Sequence, residues 1–296
     1  MTIDNRIHIP VMLDETLKYL NLKKGGIYVD CTFGVGGHSQ AILEKINTGK
    51  LIAFEWDQKE FESAQNDKFF SASSFTIVND NFANLEEHLK KMNIQKVDGF
   101  LFDLGLSSDQ LAEKERRGFS YRSNSPLDMR INKAIKLKAE DIVNNYSEEK
   151  LADIFYHYGE ERKARVIARK ICYWRKKTKI VNSEQLVGII ASCFSKKGHK
   201  HPARKIFQAL RIFINNELEN LIQALEVAVK YLAVEGKIIV ISYHSLEDRI
   251  VKRIFKKCSF EHFQIITKKP LIPTQQEIVK NHRARSAKMR VMVRKA

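Results

Sequence analysis

Ile27-Tyr28-Val29-Asp30-Cys31-Thr32-Phe33-Gly34-Val35-Gly36-Gly37-His38-Ser39 is the stretch that decides the fold. A short apolar, β-branched run ends on a carboxylate and breaks into a glycine cluster. It then gives way to the helical pattern of Ser39 to Ile46. Strand, glycine turn and helix in that order open a βαβ unit. Working outward, Leu51-Ile52-Ala53-Phe54-Glu55 reads as a second strand and Phe75-Thr76-Ile77-Val78 as a third. Val97-Asp98-Gly99-Phe100-Leu101-Phe102-Asp103 reads as a fourth. Helical patterns at Lys59 to Ala64 and Leu85 to Met92 lie between them, which implies a parallel sheet.

After Asp103 the alternation stops. Residues 109–200 hold helical patterns and polar loops but no convincing strand. One long helix is expected from Lys205 to Leu232, because Phe207, Leu210, Ile214, Leu218, Leu221, Leu225, Ala228 and Leu232 recur at threes and fours. Gly236 should end it. Ile238 to Ser242 is a fifth strand, and Phe263 to Thr267 and Met289 to Val293 suit an antiparallel pair at a sheet edge. The economical reading is one α/β domain, residues 1–108 and 201–296, split by an all-helical insertion at 109–200.

Charge divides the chain in the same way. Of the formal +16, residues 1–108 carry −4, residues 109–200 carry +9 and residues 249–296 carry +12. A polyanion-binding surface beside a separate chemical core has this asymmetry. The opening MTIDNRIHIPVML lacks a long apolar run, and stretches such as Lys237 to Ile241 are too short to span a bilayer, so no membrane partner is expected. The cysteines, Cys31, Cys172, Cys193 and Cys258, form no C-x-x-C pair, which argues against a disulfide framework or a zinc site and fits a reducing cytoplasm. Cys258 and His262 read as structural, and no metal is expected.

In an open parallel sheet, ligands bind beyond the carboxyl ends of the strands. Asp30 to His38, Glu55-Trp56-Asp57, Asp80-Asn81-Phe82, Asp103 to Ser108 and Ser242-Tyr243-His244-Ser245 all fall there. The glycines let the backbone approach a ligand closely. A dinucleotide site would want a third glycine where Ser39 stands, which discourages a nicotinamide enzyme. Glu55 is placed to accept the ribose hydroxyls of an adenosine. Phe82 is placed to pack on adenine or, equally, in the core. Asp103 and Ser107 suit the holding of an attacking amine, with His244 as a proton acceptor. Bland alternatives remain open: Ser107 as a turn cap and His244 as a satisfied buried histidine.

Further segments carry a likeness. His8 to Glu15, Asp30 to Ser39, Phe102 to Ser108, Arg117-Gly118-Phe119-Ser120 and Pro126 to Arg130 resemble the small-subunit ribosomal RNA methyltransferase H family. So do Tyr158 to Arg162, His201-Pro202-Ala203, Phe207 to Ile212, Ser245 to Arg249 and Arg283 to Ser286, in the family's order and spacing. The resemblance implies a class I, Rossmann-like methyltransferase fold with an inserted helical substrate-recognition domain. It implies S-adenosylmethionine as cofactor and the exocyclic N4 amine of a cytidine in the decoding region of 16S ribosomal RNA as acceptor. Carried over by motif, the cofactor contacts are Gly36, Gly37, His38, Glu55, Phe82, Asp103 and Gln110. Family members usually have Asp where Glu55 stands.

For RNA, the stretch Glu160 to Lys177 reads as a two-faced helix. Ala164, Ile167, Ala168 and Ile171 face its own core, while Arg162, Arg165 and Arg169 are placed to meet phosphates, or form a merely solvated basic face. Arg283 and Arg285 add cations near the expected catalytic end. Phe119 and Tyr121 are candidates to stack on a base drawn out of its helix. Rival readings are a NAD-dependent oxidoreductase, DNA methylation by the same chemistry, and a non-catalytic ribosome-assembly factor on a methyltransferase scaffold. A homodimer is left open.

Overall fold

Short β-branched runs alternating with amphipathic segments can bury both faces of a sheet only by placing helices above and below it. The computed structural model describes residues 10–105, 117–194, 201–260 and 262–296. The chain divides into two units, Met1–Ser107 with Leu218–Ala296, and Ser108–Glu217. In chain order, the first unit supplies α1 (Leu13–Leu20), β1 (Ile27–Asp30), α2 (Gly37–Ile46), β2 (Lys50–Phe54), α3 (Gln58–Asn66), β3 (Phe75–Val78), α4 (Leu85–Lys91) and β4 (Val97–Asp103). The second unit follows with α5 (Ala139–Asn145), α6 (Glu148–His157), α7 (Ala164–Arg175), α8 (Ser183–Ala191) and α9 (Ala203–Asn215). The first then resumes with α10 (Glu217–Tyr231), β5 (Leu232–Ser242), α11 (Ser245–Cys258), β6 (Phe263–Ile265), α12 (Gln275–Lys280) and β7 (Lys288–Arg294).

The strands form one sheet in the order β3-β2-β1-β4-β5-β7-β6. β1 to β5 run parallel, and β7 pairs antiparallel with both β5 and β6, as the edge pattern predicts. The chain steps outward from β1 to β3 and returns to β4 on the other side of β1, so the order reverses between β1 and β4. Ligands bind at such a reversal, beyond the carboxyl ends. Alternating residues cover the two faces. Val29, Ile52, Phe100 and Ile238 pack with α4, α10 and α11, whereas Tyr28, Leu51, Leu101 and Ile239 pack with α1 and α2.

In the second unit, α7 buries Ala164, Ile167, Ala168 and Ile171 as one stripe, the face expected from its sequence. The helix is shorter than expected. It starts at Ala164 because Glu160 is left-handed (φ 49°) and the Glu161 side chain accepts from the Lys163 amide at 2.9 Å.

Two other elements depart from the sequence pattern. The expected helix Lys205 to Leu232 is two helices, because Asn216 adopts the left-handed conformation that ends α9 (φ 52°). Its amide reaches back to Ile212 and Phe213 carbonyls. α9 groups with the helical unit, which therefore runs to Glu217 rather than stopping at 200. Asn215 anchors it there, donating to the Met129 carbonyl at 2.8 Å and accepting from the Ile131 amide at 2.7 Å. Gly236 lies inside β5 rather than before it. The partner register jumps from Val97–Leu232 to Gly99–Lys237, and Glu235 is left-handed (φ 62°).

In the helical unit, Gly118 is sterically dictated. Gly118 has φ 77°, and a Cβ there would stand 2.3 Å from the Pro126 carbonyl oxygen. That backbone cannot retreat easily, because the Asp128 and Met129 amides both bond the Arg117 carbonyl, at 3.2 and 2.8 Å. Gly118→Ala is expected to cost at least about 1–2 kcal/mol from the left-handed backbone alone, and more from the clash. Urea unfolding followed by circular dichroism checks this, and an unchanged midpoint would contradict it.

Candidate active site

Asp30, at the end of β1, is fully buried and turned inward. One carboxylate oxygen accepts from the Thr32 amide at 3.0 Å and the other from the Ser39 hydroxyl at 2.7 Å. Burial pushes its carboxyl pKa up, against the opposing pull of His38, Ser39 and Thr32. Asp30 thus staples the glycine loop to the first turn of α2. Ser39, the residue standing where a dinucleotide fingerprint needs glycine, is half of that staple. Gly36 sits at φ 82°, and a Cβ on it would stand 2.6 Å from Phe70 and 2.7 Å from Phe33. Only glycine fits the turn.

Across the order reversal, β4 ends on Asp103. Its backbone N–H donates to the Thr32 hydroxyl at 2.6 Å, and the Cys31 amide donates to the Leu101 carbonyl at 2.8 Å. The two strand ends are therefore locked side by side. The Tyr243 hydroxyl, just past β5, donates to Oδ1 of Asp103 at 2.7 Å. Burial and the adjacent Asp103 charge hold the Tyr243 phenol well above its usual pKa, so it keeps its proton. Nε2 of His38 lies 3.5 Å from Oδ2 of Asp103 without making a hydrogen bond to it. His38 is buried, and among the described residues neither ring nitrogen finds a hydrogen-bond partner. Buried, unpaired polar atoms of this kind call for an explanation.

Glu55 follows β2 and is buried. Its oxygens accept from the Gly34 amide at 2.8 Å and the Asp57 amide at 2.7 Å, so the second strand end is tied directly to the glycine loop. Phe82 opens a single 3₁₀ turn after β3 and stands edge-on to Phe102 at 6.0 Å. It is only partly buried, so one part of the ring packs in the core while the rest stays accessible. Asp80 beside it is committed locally. Burial raises its pKa, but bonds from His88, Asn84 and the Asn81 amide outweigh that and leave it lowered.

Several expected site residues are placed otherwise. His244 is the N-cap of α11: its Nδ1 accepts from the Glu247 amide at 3.3 Å, and Nε2 lies 3.1 Å from Oε1 of Glu247. The imidazole is committed to starting a helix. The residue that reaches Asp103 is its neighbour Tyr243, to which the sequence reading gave no role. The register held the signal, since Asp103 pairs with Ile241 and the chain continuing past Ser242 must overhang it. Ser107 and Gln110 lie outside the described residues. Arg283 and Arg285 are exposed on the 3₁₀ turn His282–Ser286, immediately before β7. Because Lys288 pairs with Ser242 at the carboxyl end of β5, that turn belongs to the same edge as the other strand-end residues.

Within the helical unit, Phe119 is buried rather than presented to a ligand. Tyr121 is half-buried, with its ring stacked on His201 at 4.8 Å and edge-on to Phe207 at 6.2 Å. Both aromatics serve packing in that unit. Arg162, Arg165 and Arg169 are exposed, as expected.

Known proteins are similar to this chain over almost its whole length. A family model described as the MraW methylase family matches residues 5–295. A protein of Caldicellulosiruptor saccharolyticus named ribosomal RNA small subunit methyltransferase H is 46% identical over 96% of this chain and 98% of its own. Proteins of the same name from Endomicrobium trichonymphae and Fusobacterium nucleatum are 46% and 43% identical. They are matched over 96% and 99% of this chain and 97% and 98% of their own. The chain belongs to the MraW methylase family.

Proposed function

We propose that this chain methylates ribosomal RNA of the small subunit with S-adenosylmethionine as donor, at the N4 amine of a cytidine in the decoding region of 16S RNA. The observation that carries the reading is Asp103, held at the order reversal by Thr32 and Tyr243 and facing the unpaired imidazole of His38. The residues fit the donor. Gly36 leaves a turn that no side chain can occupy, and Gly37 begins α2, so its amide end is available to an anionic group. The buried His38 nitrogens lack partners that a polar ligand would supply. Glu55 is pre-aimed by two backbone amides for ribose hydroxyls, and Phe82 offers an accessible edge to adenine.

When bound, S-adenosylmethionine supplies an electrophilic methyl carbon on a sulfonium. The chain's own task is to present the acceptor. An exocyclic base amine is a weak nucleophile, because its lone pair is delocalised into the ring. Asp103, accepting a hydrogen bond from that amine, turns the lone pair toward the methyl carbon and stands ready for the proton the methylated amine sheds. Tyr243 keeps the carboxylate from rotating away, and as a permanently protonated donor it does so across the physiological pH range. The helical unit, with its exposed Arg162, Arg165 and Arg169, and the turn carrying Arg283 and Arg285 supply the cations that RNA binding requires. A NAD-dependent oxidoreductase is disfavoured by the Ser39–Asp30 staple. No described helix is long and apolar enough to cross a membrane, and we place the protein in the cytoplasm with its ribosomal substrate.

Three outcomes test the site. Asp103→Ala should abolish methyl incorporation into hypomethylated small subunits. Tyr243→Phe should lower kcat by about tenfold to a hundredfold, the worth of one hydrogen bond to a charged group, with donor affinity nearly unchanged. Normal turnover by the Asp103 variant would remove that residue from the chemistry. Glu55→Ala should weaken donor binding by a few kcal/mol at most, read by calorimetry, with kcat at saturating donor largely kept. A Glu55 variant with full donor affinity would contradict the ribose assignment.

A further inference from the structure

The helical unit carries a face that its own core does not explain. α7 buries one stripe, but on the opposite side Val166, Arg169 and Tyr173 recur at steps of three and four and so share a surface. Val166 and Tyr173 are each 53% exposed, and Trp174, the next residue and about 100° further round the helix, is 44% exposed. Lys177 holds its ammonium 4.7 Å from the centre of the Tyr173 ring. Glu148 of α6 lies 3.2 Å from Arg169; the arginine is well exposed and the acid half-buried, so solvent screens the pair and it neutralises little of the face.

Charge says that the occupant is an anion, and the rings say that it offers flat apolar faces. Phosphate alone would be served by the arginines. An anionic membrane would require a continuous apolar face, whereas here cations interrupt the aromatics at every turn. Double-stranded RNA hides its base faces and is gripped through phosphates and 2′-hydroxyls, which would leave Tyr173 and Trp174 idle. Cations interleaved with exposed aromatic rings suit unpaired nucleic acid, whose bases stack on the rings while the backbone follows the charge. We infer that this face of α7 is a stacking platform for a single-stranded segment of the RNA substrate, with Tyr173 and Trp174 as the base-binding rings. The inference rests on the RNA methyltransferase reading and adds to it a second kind of contact, outside the strand-end site.

The test compares binding of a labelled single-stranded RNA of about eight nucleotides with a duplex of equal length, using the full chain and fluorescence anisotropy. The double variant Tyr173→Ala with Trp174→Ala should lose at least about tenfold in single-strand affinity and little in duplex affinity. It removes no charge, so the slope of log affinity against log salt should not change. Tyr173→Phe with Trp174→Phe, which keeps both rings, should restore binding. Arg165→Gln with Arg169→Gln should instead flatten the salt slope by about one to two. The platform is overturned if the alanine variant binds single strands like the parent, loses duplex binding equally, or is not rescued by phenylalanine. Calorimetry with S-adenosylmethionine on the same preparations separates the two readings. A parent chain that binds no donor strikes the methyltransferase assignment, whereas normal donor binding with unaltered RNA affinity in the alanine variant strikes the platform alone.

Discussion

A parallel sheet whose strand order reverses leaves a crevice between two neighbouring strands whose following connections depart in opposite directions. In this chain the rim of that crevice is fixed by one short hydrogen bond, from the Asp103 backbone N–H to the Thr32 hydroxyl at 2.6 Å. Everything chemical is built around it. Thr32 belongs to the loop that Asp30 and Ser39 staple to α2, and the same loop is tied to the second strand end through Glu55 and Gly34. Asp103 is met from the other side by Tyr243. Three strand ends and the segment after β5 are thus linked by side chain–backbone or side-chain bonds, and the site inherits the rigidity of the sheet.

How much of this was legible beforehand depends on the kind of signal. The parallel sheet and its acidic strand ends follow from local pattern, because a buried strand ending on a carboxylate and a glycine turn has few other uses. The edge pair β6 and β7 was equally readable. Long-range side-chain partnerships were not. His244 looked chemically apt, yet a histidine one residue before Ser-Leu-Glu can cap a helix, and here it does. Tyr243 gained its role only from the register that sets it beside Asp103. Asn216 interrupts an apolar periodicity that is continuous in sequence, since periodicity records which face is buried and is blind to a single left-handed residue. Phe119 and Tyr121 are candidates in sequence to stack on an extruded base, but Phe119 is buried and Tyr121 packs against His201 and Phe207 within the helical unit.

The distribution of charge follows from a conflict between two ligands. A sulfonium donor is cationic and is welcomed by acids at the strand ends, but the same acids repel a ribonucleic acid. Residues 1–108 carry a net −4, and the compensating cations lie in residues 109–200 and 249–296. Arg283 and Arg285 bring some of them to the carboxyl edge of the sheet, while the exposed side of α7 gathers others around Tyr173 and Trp174. In the proposed function, donor chemistry and polymer grip fall on separate elements.

The central claim is that the strand-end loops form a pocket for a methyl-donating sulfonium nucleotide. Isothermal titration of the unaltered chain with S-adenosylmethionine, S-adenosylhomocysteine and NAD tests it most directly. The account predicts saturable heat with the first two and none with NAD. Binding of NAD in preference, or silence with both the donor and its demethylated product, would contradict it.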